Sequence, residues 1–317
     1  MIYIILLILF ISIELIYFKI ADHFNIIDKP NSRSSHNLIT LRGGGIIFPI
    51  AIIVACLLGY ISLTISIAII LVATVSFIDD IKPLSQLPRF ASHAIAIGLV
   101  FYDLGLFYQA IWILPIIFFL LIGWVNVFNF MDGINGITVL YTFVAILSLS
   151  FIEVNKDSLP LLITMGLSCC AFGFFNVRKK AKTFAGDVGS ISMALFLGYF
   201  MLKTILNSGQ IGYILFFSLY GIDAAITIFS RIRKKENIFE PHRSHLYQYL
   251  ANELGYSHIL VSLLYSGIQL LINILLLYLQ QIEKLSISIV ISFLVFQILF
   301  YLWIRNRVLK KTNIEKN

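Results

Sequence analysis

Long apolar runs separated by short polar segments dominate the pattern of this chain. A membrane helix needs about 20 mostly apolar residues, whereas the strands of an outer-membrane barrel alternate with period two. These runs are unbroken stretches rich in Ile, Leu and Phe, so each predicts a helix. They cover residues 2–20, 46–61, 66–78, 90–107, 111–128, 137–153, 159–177, 190–206, 211–230, 259–279 and 286–304. The pattern predicts an all-α polytopic membrane protein with about 11 transmembrane helices, the short third run extending back through residues 62–65.

The composition supports a membrane protein. Of the 317 residues, 59% are hydrophobic and 12% are charged, whereas soluble domains carry about 25% charged residues. So much hydrocarbon excludes a water-soluble, disordered or disulfide-scaffold protein, and the three cysteines lie inside apolar runs, where we expect packing roles. We expect one integral-membrane domain over residues 1–317, with a short basic cytoplasmic tail at residues 305–317.

Basic residues mark one side of the predicted membrane. The segments after odd-numbered runs, with the C-terminal tail, hold 19 of the 23 Lys and Arg residues. Because positive loops are cytoplasmic, we expect the N-terminus outside, the C-terminus inside, and a multi-pass location in the inner (plasma) membrane. The first run lacks the basic start and cleavage site of a removable signal peptide. This topology rule alone can account for the net charge of +7.

The polar chemistry also lies on the predicted cytoplasmic side, with ten of the sixteen acidic residues. A transporter would place ionisable groups near the bilayer midplane instead. Asp223 is the one charge far from a run's edge, and it could form a helix–helix hydrogen bond or support a site at the neighbouring loop. This asymmetry favours an enzyme that joins a cytosolic substrate to a lipid, with a lipid-linked sugar transporter or flippase as the alternative.

Two of the cytoplasmic segments are rich in carboxylates and amides. In residues 77–85, Asp79 and Asp80 are adjacent and repel each other unless a cation compensates, so they form either a solvated pair or a metal or base site. Residues 126–136 carry Asn126, Asn129, Asp132 and Asn135 around two glycines. A turn explains some of these residues, but amides on the preceding helix end are costly to desolvate.

Three further segments combine glycines with cations or a carboxylate. Residues 184–190 place Asp187 between two glycines at a helix start, a combination that suits Mg²⁺ and phosphate or a plain capped turn. Residues 241–245 form a His-Arg-Ser-His cluster suited to phosphate. Residues 33–36 and 42–45 add Arg33, His36 and an Arg-Gly-Gly-Gly run. Because glycine disfavours helix, we expect these glycines to permit close approach to phosphate.

Together these motifs are typical of Mg²⁺-dependent transfer between phosphates, and no zinc spacing, Walker loop or Ser-His-Asp order is visible. With the motifs RSSH…RGGG, DDIKPLS…R, NVFNFMDGING, FAGDVGS and PHRSH in that order, the chain resembles the polyprenyl-phosphate N-acetylhexosamine-1-phosphate transferases of glycosyltransferase family 4. The resemblance extends over nearly the whole chain. That family includes phospho-N-acetylmuramoyl-pentapeptide transferase.

The resemblance implies a UDP-activated N-acetylhexosamine, an undecaprenyl-phosphate acceptor and Mg²⁺, with Mn²⁺ as an alternative ion. We expect no nucleic-acid partner, and a homodimer is left open. The resemblance also implies roles for individual residues. Asp79 matches the catalytic base, with Asp80 and Asp132 as its catalytic neighbours, and Asp187 and Asn129 match the metal ligands. Phe184 matches the ring that stacks on uracil, and Asn135 lies in the turn that reads uridine, with Asn126 nearby. The residues that match further substrate contacts are His242, Arg243, His245, Arg33 and His36.

Some positions depart from the wider family pattern. Asn135 stands where many bacterial members have Asp, and His93 stands where Gln is expected. Lys82 follows the acid pair more closely than in the peptidoglycan branch, and the histidine loop lacks that branch's three consecutive His residues. We therefore expect the first membrane step of O-antigen or another cell-envelope polysaccharide, with the muramoyl-pentapeptide reaction as the alternative.

Overall fold

The protein is an almost entirely helical bundle. The computed structural model describes residues 1–30, 35–36, 38–109, 111–237 and 242–312. In this part of the chain the helices are α1 Ile2–His23, α2 Ile47–Leu57, α3 Leu63–Ile81, α4 Gln86–Asp103, α5 Leu114–Phe130, α6 Ile137–Ser150, α7 Leu159–Asn176, α8 Gly186–Ser208, α9 Ser218–Arg233, α10 Leu246–Gln248, α11 His258–Gln281 and α12 Ile287–Thr312. The two-residue strands β1 Ile27–Asp28 and β2 Thr40–Leu41 pair antiparallel. The all-α class is confirmed.

Every predicted apolar run contains a helix. The third run does extend back, since α3 begins at Leu63, where the Ser62 hydroxyl accepts the Ile65 amide at 3.2 Å. The ninth run divides into a 3-10 segment, Ile211–Phe217, followed by α9. Among the described residues, eight helical segments are long and apolar enough to cross a membrane, and two apolar helices are shorter. The protein is therefore a polytopic membrane protein, while the count of eleven spans and their orientation stay predictions.

Helix α8 forms the centre of the bundle and is the most deeply buried of the spanning helices. It packs against α3, α5 and α2, and the Trp124 indole on α5 donates to the Ala194 carbonyl at 2.8 Å. Lipid gives helices no hydrophobic reason to associate, so close packing and interhelical hydrogen bonds hold such a bundle together. The polar first turn of α8 is consequently fixed among several helices.

The glycine run after β2 lies against the beginning of α8. The amides of Gly44 and Gly45 donate to the carbonyls of Phe184 and Ala185 at 2.9 and 3.0 Å. A methyl group on Gly45 would overlap the backbone of Gly189. The expected close approach is therefore to the backbone of the Phe184–Gly189 motif, and it joins two motifs that are far apart in sequence.

Two charged residues near the other ends of the helices, Asp103 and Lys203, have partners within the protein. The Asp103 carboxylate accepts hydrogen bonds from the hydroxyls of Ser62 at 2.5 Å and Tyr199 at 3.0 Å. The Lys203 ammonium donates to the Ser158 hydroxyl at 2.8 Å. These groups contribute to helix–helix contacts, as intramembrane polar residues commonly do.

Gly45→Ala tests the backbone contact between the glycine run and α8. We expect it to lower the free energy of unfolding by about 1–3 kcal/mol, the usual cost of overpacking, because neither backbone can yield without moving a helix. Thermal unfolding in detergent measures the effect. The matched control is Gly267→Ala on α11, where an added methyl meets open space and helix propensity favours Ala. Equal unfolding temperatures for Gly45→Ala and the unmodified protein would contradict the contact.

Candidate functional site

The buried carboxylate of Asp80 joins α3 to the start of α8. Its two oxygens accept the backbone amides of Asp187 at 2.9 Å and Val188 at 3.0 Å, and its side chain is completely buried. A helix N-terminus presents unsatisfied amides and partial positive charge, so it stabilises a carboxylate there. Asp80 therefore caps α8 from another helix and holds the Asp187 turn in place.

Two arginines lie between the three carboxylates of this region. The Arg42 guanidinium is 2.8 Å from Asp80 through Nε and 3.5 Å from Asp187 through Nη2. Arg89 is 3.3 Å from Asp79 and 3.5 Å from Asp187. Burial alone would lower the pKa of Arg42, but the charges of Asp80 and Asp187 raise it above its ordinary value. The repulsion expected between the adjacent acids is thus compensated by fixed cations.

A polar cavity of about 330 Å³ opens beside this cluster. Its size lies in the range of small-molecule sites. Six of the predicted site residues line it: His36, Asn129, Asp132, Asn135, Phe184 and Asp187. These side chains come from three different segments between the apolar runs, so the tertiary structure does bring residues of these motifs together.

Amide and carboxyl groups from the Asn129–Asn135 turn face this cavity. The Asn129 side-chain oxygen accepts the Ser190 hydroxyl at 2.6 Å, which connects the end of α5 to α8. Burial raises the pKa of Asp132 to about 6, although the hydrogen bond from Thr138 at 2.5 Å opposes the shift. The Asn135 amide donates to the Arg178 carbonyl at 3.0 Å. Among the described residues its side-chain oxygen has no hydrogen-bond partner, although it is buried.

Phe184 forms part of the cavity wall and is held there by its backbone. Its amide donates to the Leu41 carbonyl at 2.8 Å, and its carbonyl accepts the Gly44 amide. The His36 ring contacts it edge-on, with 4.7 Å between the ring centroids. The half-buried ring is therefore an aromatic surface in a polar cavity, next to an imidazole.

The histidine loop is anchored by a buried polar network. The Asp223 carboxylate on α9 contacts His245 Nδ1 at 3.0 Å and accepts the Tyr265 hydroxyl at 2.5 Å. Arg305 on α12 donates to the Thr227 hydroxyl at 3.0 Å and the Ser244 carbonyl at 3.1 Å. The pairing anticipated for Asp223 thus reaches the histidine loop as well as a neighbouring helix. The predicted basic tail begins inside α12, and Arg305 is buried.

The rest of this loop lies between the network and the amide turn. The Tyr247 hydroxyl donates to the Phe130 carbonyl at 3.0 Å, and the His242 ring is 6.3 Å from the Phe130 ring between centroids. Burial and the neighbouring His245 lower the pKa of His242 to about 4, so this imidazole is neutral near pH 7. Its partners orient the loop towards the end of α5.

Not every predicted site residue reaches the cavity. Asn126 is directed along its own helix, where its amide donates to the Ile122 carbonyl at 2.9 Å. Asp79 and Asp80 are not among the lining residues, although both lie beside Asp187 through shared arginines. His242, Arg243 and His245 do not line the cavity either, and their segment reaches it through Gln248. Arg33 lies outside the described residues. The roles of all the predicted site residues stay predictions.

The structure also places residues at the site that the sequence analysis gave no role. Arg42, Gln248, His258 and Asn176 line the cavity. The Asn176 oxygen accepts the Gly136 amide at 2.7 Å, and its amide donates to the Thr183 carbonyl at 2.8 Å. Asn176 is a polar residue at the end of an apolar run, and this position was the feature of the sequence that could have indicated a role at the site. Nothing comparable in the local sequence indicates Gln248.

The oxygen ligands of the cavity suit Mg²⁺ in their chemistry. Within the described part of the chain, no group of three or more His, Cys, Asp or Glu side chains is arranged to hold a metal ion. Mg²⁺ needs no such group, because it commonly binds through one or two carboxylates, substrate phosphates and water. Asp187 and Asn129 both line the cavity and could provide protein oxygens of this kind.

The fold and site define a polytopic membrane protein with a charged, ligand-sized cavity beside the start of its central helix. Residues 61–205 match the family model described as Glycosyl transferase family 4. This match, together with the relatives below, confirms the predicted resemblance to that family.

Curated relatives with the name phospho-N-acetylmuramoyl-pentapeptide-transferase match parts of the chain. The protein of Streptococcus thermophilus (strain CNRZ 1066) is 33% identical over 109 residues, which cover 33% of this chain and 30% of the relative. That of Streptococcus mutans serotype c is 28% identical over 160 residues, covering 43% and 47%. That of Lactococcus lactis subsp. cremoris (strain MG1363) is 36% identical over 80 residues, covering 24% of each. The chain therefore matches less than half the length of each of these relatives.

The Asp223–His245 contact can be tested by a double-mutant cycle. We expect Asp223→Asn and His245→Gln each to lower the free energy of unfolding, with a coupling energy of about 0.5–3 kcal/mol between them, as is usual for residues in one network. Thermal or denaturant unfolding in detergent measures all four proteins. Asp223→Asn combined with Gly98→Ala is the control and should be additive, because an added methyl at Gly98 contacts nothing. Additive effects for the Asp223–His245 pair would show that the contact contributes no stability.

Proposed function

We propose that this protein transfers N-acetylhexosamine 1-phosphate from a UDP-sugar to undecaprenyl phosphate and releases UMP. This would be the first membrane step in the synthesis of an O-antigen or another cell-envelope polysaccharide. The observation that carries the proposal is the convergence of Asp79, Asp80 and Asp187, compensated by Arg42 and Arg89, beside one polar cavity. Carboxylates that can hold a divalent cation, together with arginines that can pair with phosphate oxygens, suit phosphate chemistry.

The nucleoside half of the substrate fits the wall formed by Phe184 and Asn135. An aromatic ring offers a stacking surface for uracil, as aromatic side chains commonly do for bases. The unpartnered side-chain oxygen of Asn135 can accept a hydrogen bond from an imide N–H of the base. A buried acceptor without a partner is costly, so a ligand that satisfies it gains affinity and specificity.

The chemical step would be a direct displacement at phosphorus. An oxygen of polyprenyl phosphate attacks the β-phosphorus of the UDP-sugar, the bond to the UMP oxygen breaks, and one phosphoanhydride replaces another. Mg²⁺ held by Asp187 and Asn129 would neutralise charge on the diphosphate. Positioning and charge compensation then provide most of the catalysis.

The structure of the acid pair suggests different roles for its two members. Both Asp80 oxygens accept backbone amides, so this group acts through the position it gives Asp187. Asp79 accepts the Leu84 amide at 2.6 Å through one oxygen and faces Arg89 through the other. We therefore assign Asp79 the role of the base that accepts the proton of the acceptor phosphate. The alternative is a two-step reaction through a covalent aspartyl-phosphate. An enzyme that uses this route would exchange UMP in the absence of a lipid acceptor.

The muramoyl-pentapeptide reaction is the second candidate, because the curated relatives carry that name. Asn135, the spacing of Lys82 after the acid pair and the histidine loop without three consecutive His residues favour the N-acetylhexosamine branch. A flippase or transporter is the candidate from another class. A flippase or transporter would be expected to carry ionisable groups near the middle of the membrane. The polar groups of this protein instead cluster around one cavity, which disfavours that candidate.

A substrate panel tests these candidates. Membranes containing the protein are incubated with undecaprenyl phosphate, Mg²⁺ and one of several UDP-sugars, including UDP-GlcNAc, UDP-GalNAc and UDP-MurNAc-pentapeptide. We expect lipid-dependent UMP release with a UDP-N-acetylhexosamine and background release with the pentapeptide. Release with the pentapeptide alone selects the second candidate. If no sugar nucleotide gives UMP above membranes that lack the protein, the transferase proposal is wrong.

Asp187→Asn removes the carboxylate charge and keeps the side-chain size. We expect UMP release to fall by about 10²-fold or more, comparable to the loss of one electrostatic catalytic group. The control is Asp157→Asn, at an exposed position in the segment before α7, which should retain full activity. Full activity in Asp187→Asn would exclude this residue from the reaction.

A further inference from the structure

Arg42 has a fixed backbone and a side chain directed into the cavity. It follows β2, and its carbonyl accepts the Tyr17 hydroxyl at 2.6 Å. Gly43 comes next with a φ of 80°, a left-handed conformation that favours glycine. The Arg42 side chain lines the cavity and is 32% exposed. The conformation of the glycine run therefore aims this cation at whatever the cavity binds.

The two ends of the Arg42 guanidinium have different partners. Nε makes a short contact of 2.8 Å with Asp80, whose side chain is wholly buried and itself held by α8. Nη2 lies 3.5 Å from Asp187, longer than an ordinary charge-assisted hydrogen bond. The Nε side of the guanidinium is thus held by a short ion pair, while its Nη2 side makes only the longer contact with Asp187, which also lines the cavity.

The carboxylates around the cavity make a cation on its wall necessary for binding an anion. Asp79, Asp80, Asp132 and Asp187 would all repel an anionic ligand if they were not compensated. Arg89 also approaches Asp187, but it is not among the residues that line the cavity. In the described part of the chain, Arg42 is the only Lys or Arg on the cavity wall. Among the Lys and Arg residues of this part of the chain, Arg42 is therefore the one placed to contact an anion bound in the cavity.

We propose that Arg42 binds the diphosphate of the nucleotide substrate through its Nη atoms while Asp80 holds its Nε atom. This inference rests on the proposed function and adds a phosphate-recognising residue to it. A guanidinium suits the role because its planar donors pair with two phosphate oxygens at once. The Arg-Gly-Gly-Gly run is then a phosphate element after all, through its arginine, while its glycines serve the packing against α8.

The binding of uridine and UDP to the purified protein in detergent with Mg²⁺ tests the proposal by isothermal titration calorimetry. The two ligands differ by the diphosphate alone. We expect Arg42→Gln to weaken UDP binding by about 10- to 100-fold, the usual effect of losing a charged hydrogen bond, and to change uridine binding less than twofold. Arg42→Lys should keep part of the UDP affinity, because it retains the charge without the planar donors.

Arg307→Gln is the control, since this exposed arginine stacks on Trp303 in α12 and should leave both affinities unchanged. The proposal is overturned if Arg42→Gln leaves UDP affinity intact, or weakens uridine and UDP equally, which would indicate a structural role alone. Should Arg42→Gln fail to fold, the ratio of UDP to uridine affinity in Arg42→Lys decides, and an unchanged ratio refutes the proposal. An unmodified protein that binds neither ligand would instead remove the proposed function together with this inference.

Discussion

The rest of the site depends on one buried carboxylate. Asp80 is completely buried, yet it is surrounded by compensating partners: two backbone amides at the start of α8 and the guanidinium of Arg42. A carboxyl group in this position needs such partners, because an unpaired buried charge is costly. The same contacts hold together three motifs that are far apart in the sequence. The positions of Asp187 and Arg42 therefore depend on their contacts with Asp80.

Backbone packing reinforces this electrostatic constraint. The glycine run meets α8 so closely that no side chain fits between them, and the amides of Gly44 and Gly45 complete the contact. The carboxylate cap and the glycine contact act on the same first turn of α8. Since α8 is also the most deeply buried spanning helix, the site rests on a helix that is packed on most sides, which suits chemistry that depends on position.

A second polar network organises the histidine loop. Asp223, Tyr265 and Arg305 come from three different helices and hold the histidine loop near the end of α5. Each residue is buried, so each needs a partner, and the partners lie on other helices. The loop is thereby tied to α9, α11 and α12, while the acid cluster is tied to α3 and α8. The cavity lies beside elements from both groups.

The sequence alone determined the fold class. Long runs of Ile, Leu and Phe lie in lipid, where the backbone N–H and C=O groups of such a run find hydrogen-bond partners within a helix. It also indicated several of the segments whose side chains line the cavity, since clustered acids, amides and glycines stand out against an apolar background. Only the tertiary structure decided how those residues divide their work. That Asp80 caps a helix, that Arg42 faces a cavity and that Asn126 does not reach it all depend on contacts between residues far apart in the chain. Local sequence cannot specify such contacts, because they arise from the packing of helices whose apolar faces are nearly interchangeable.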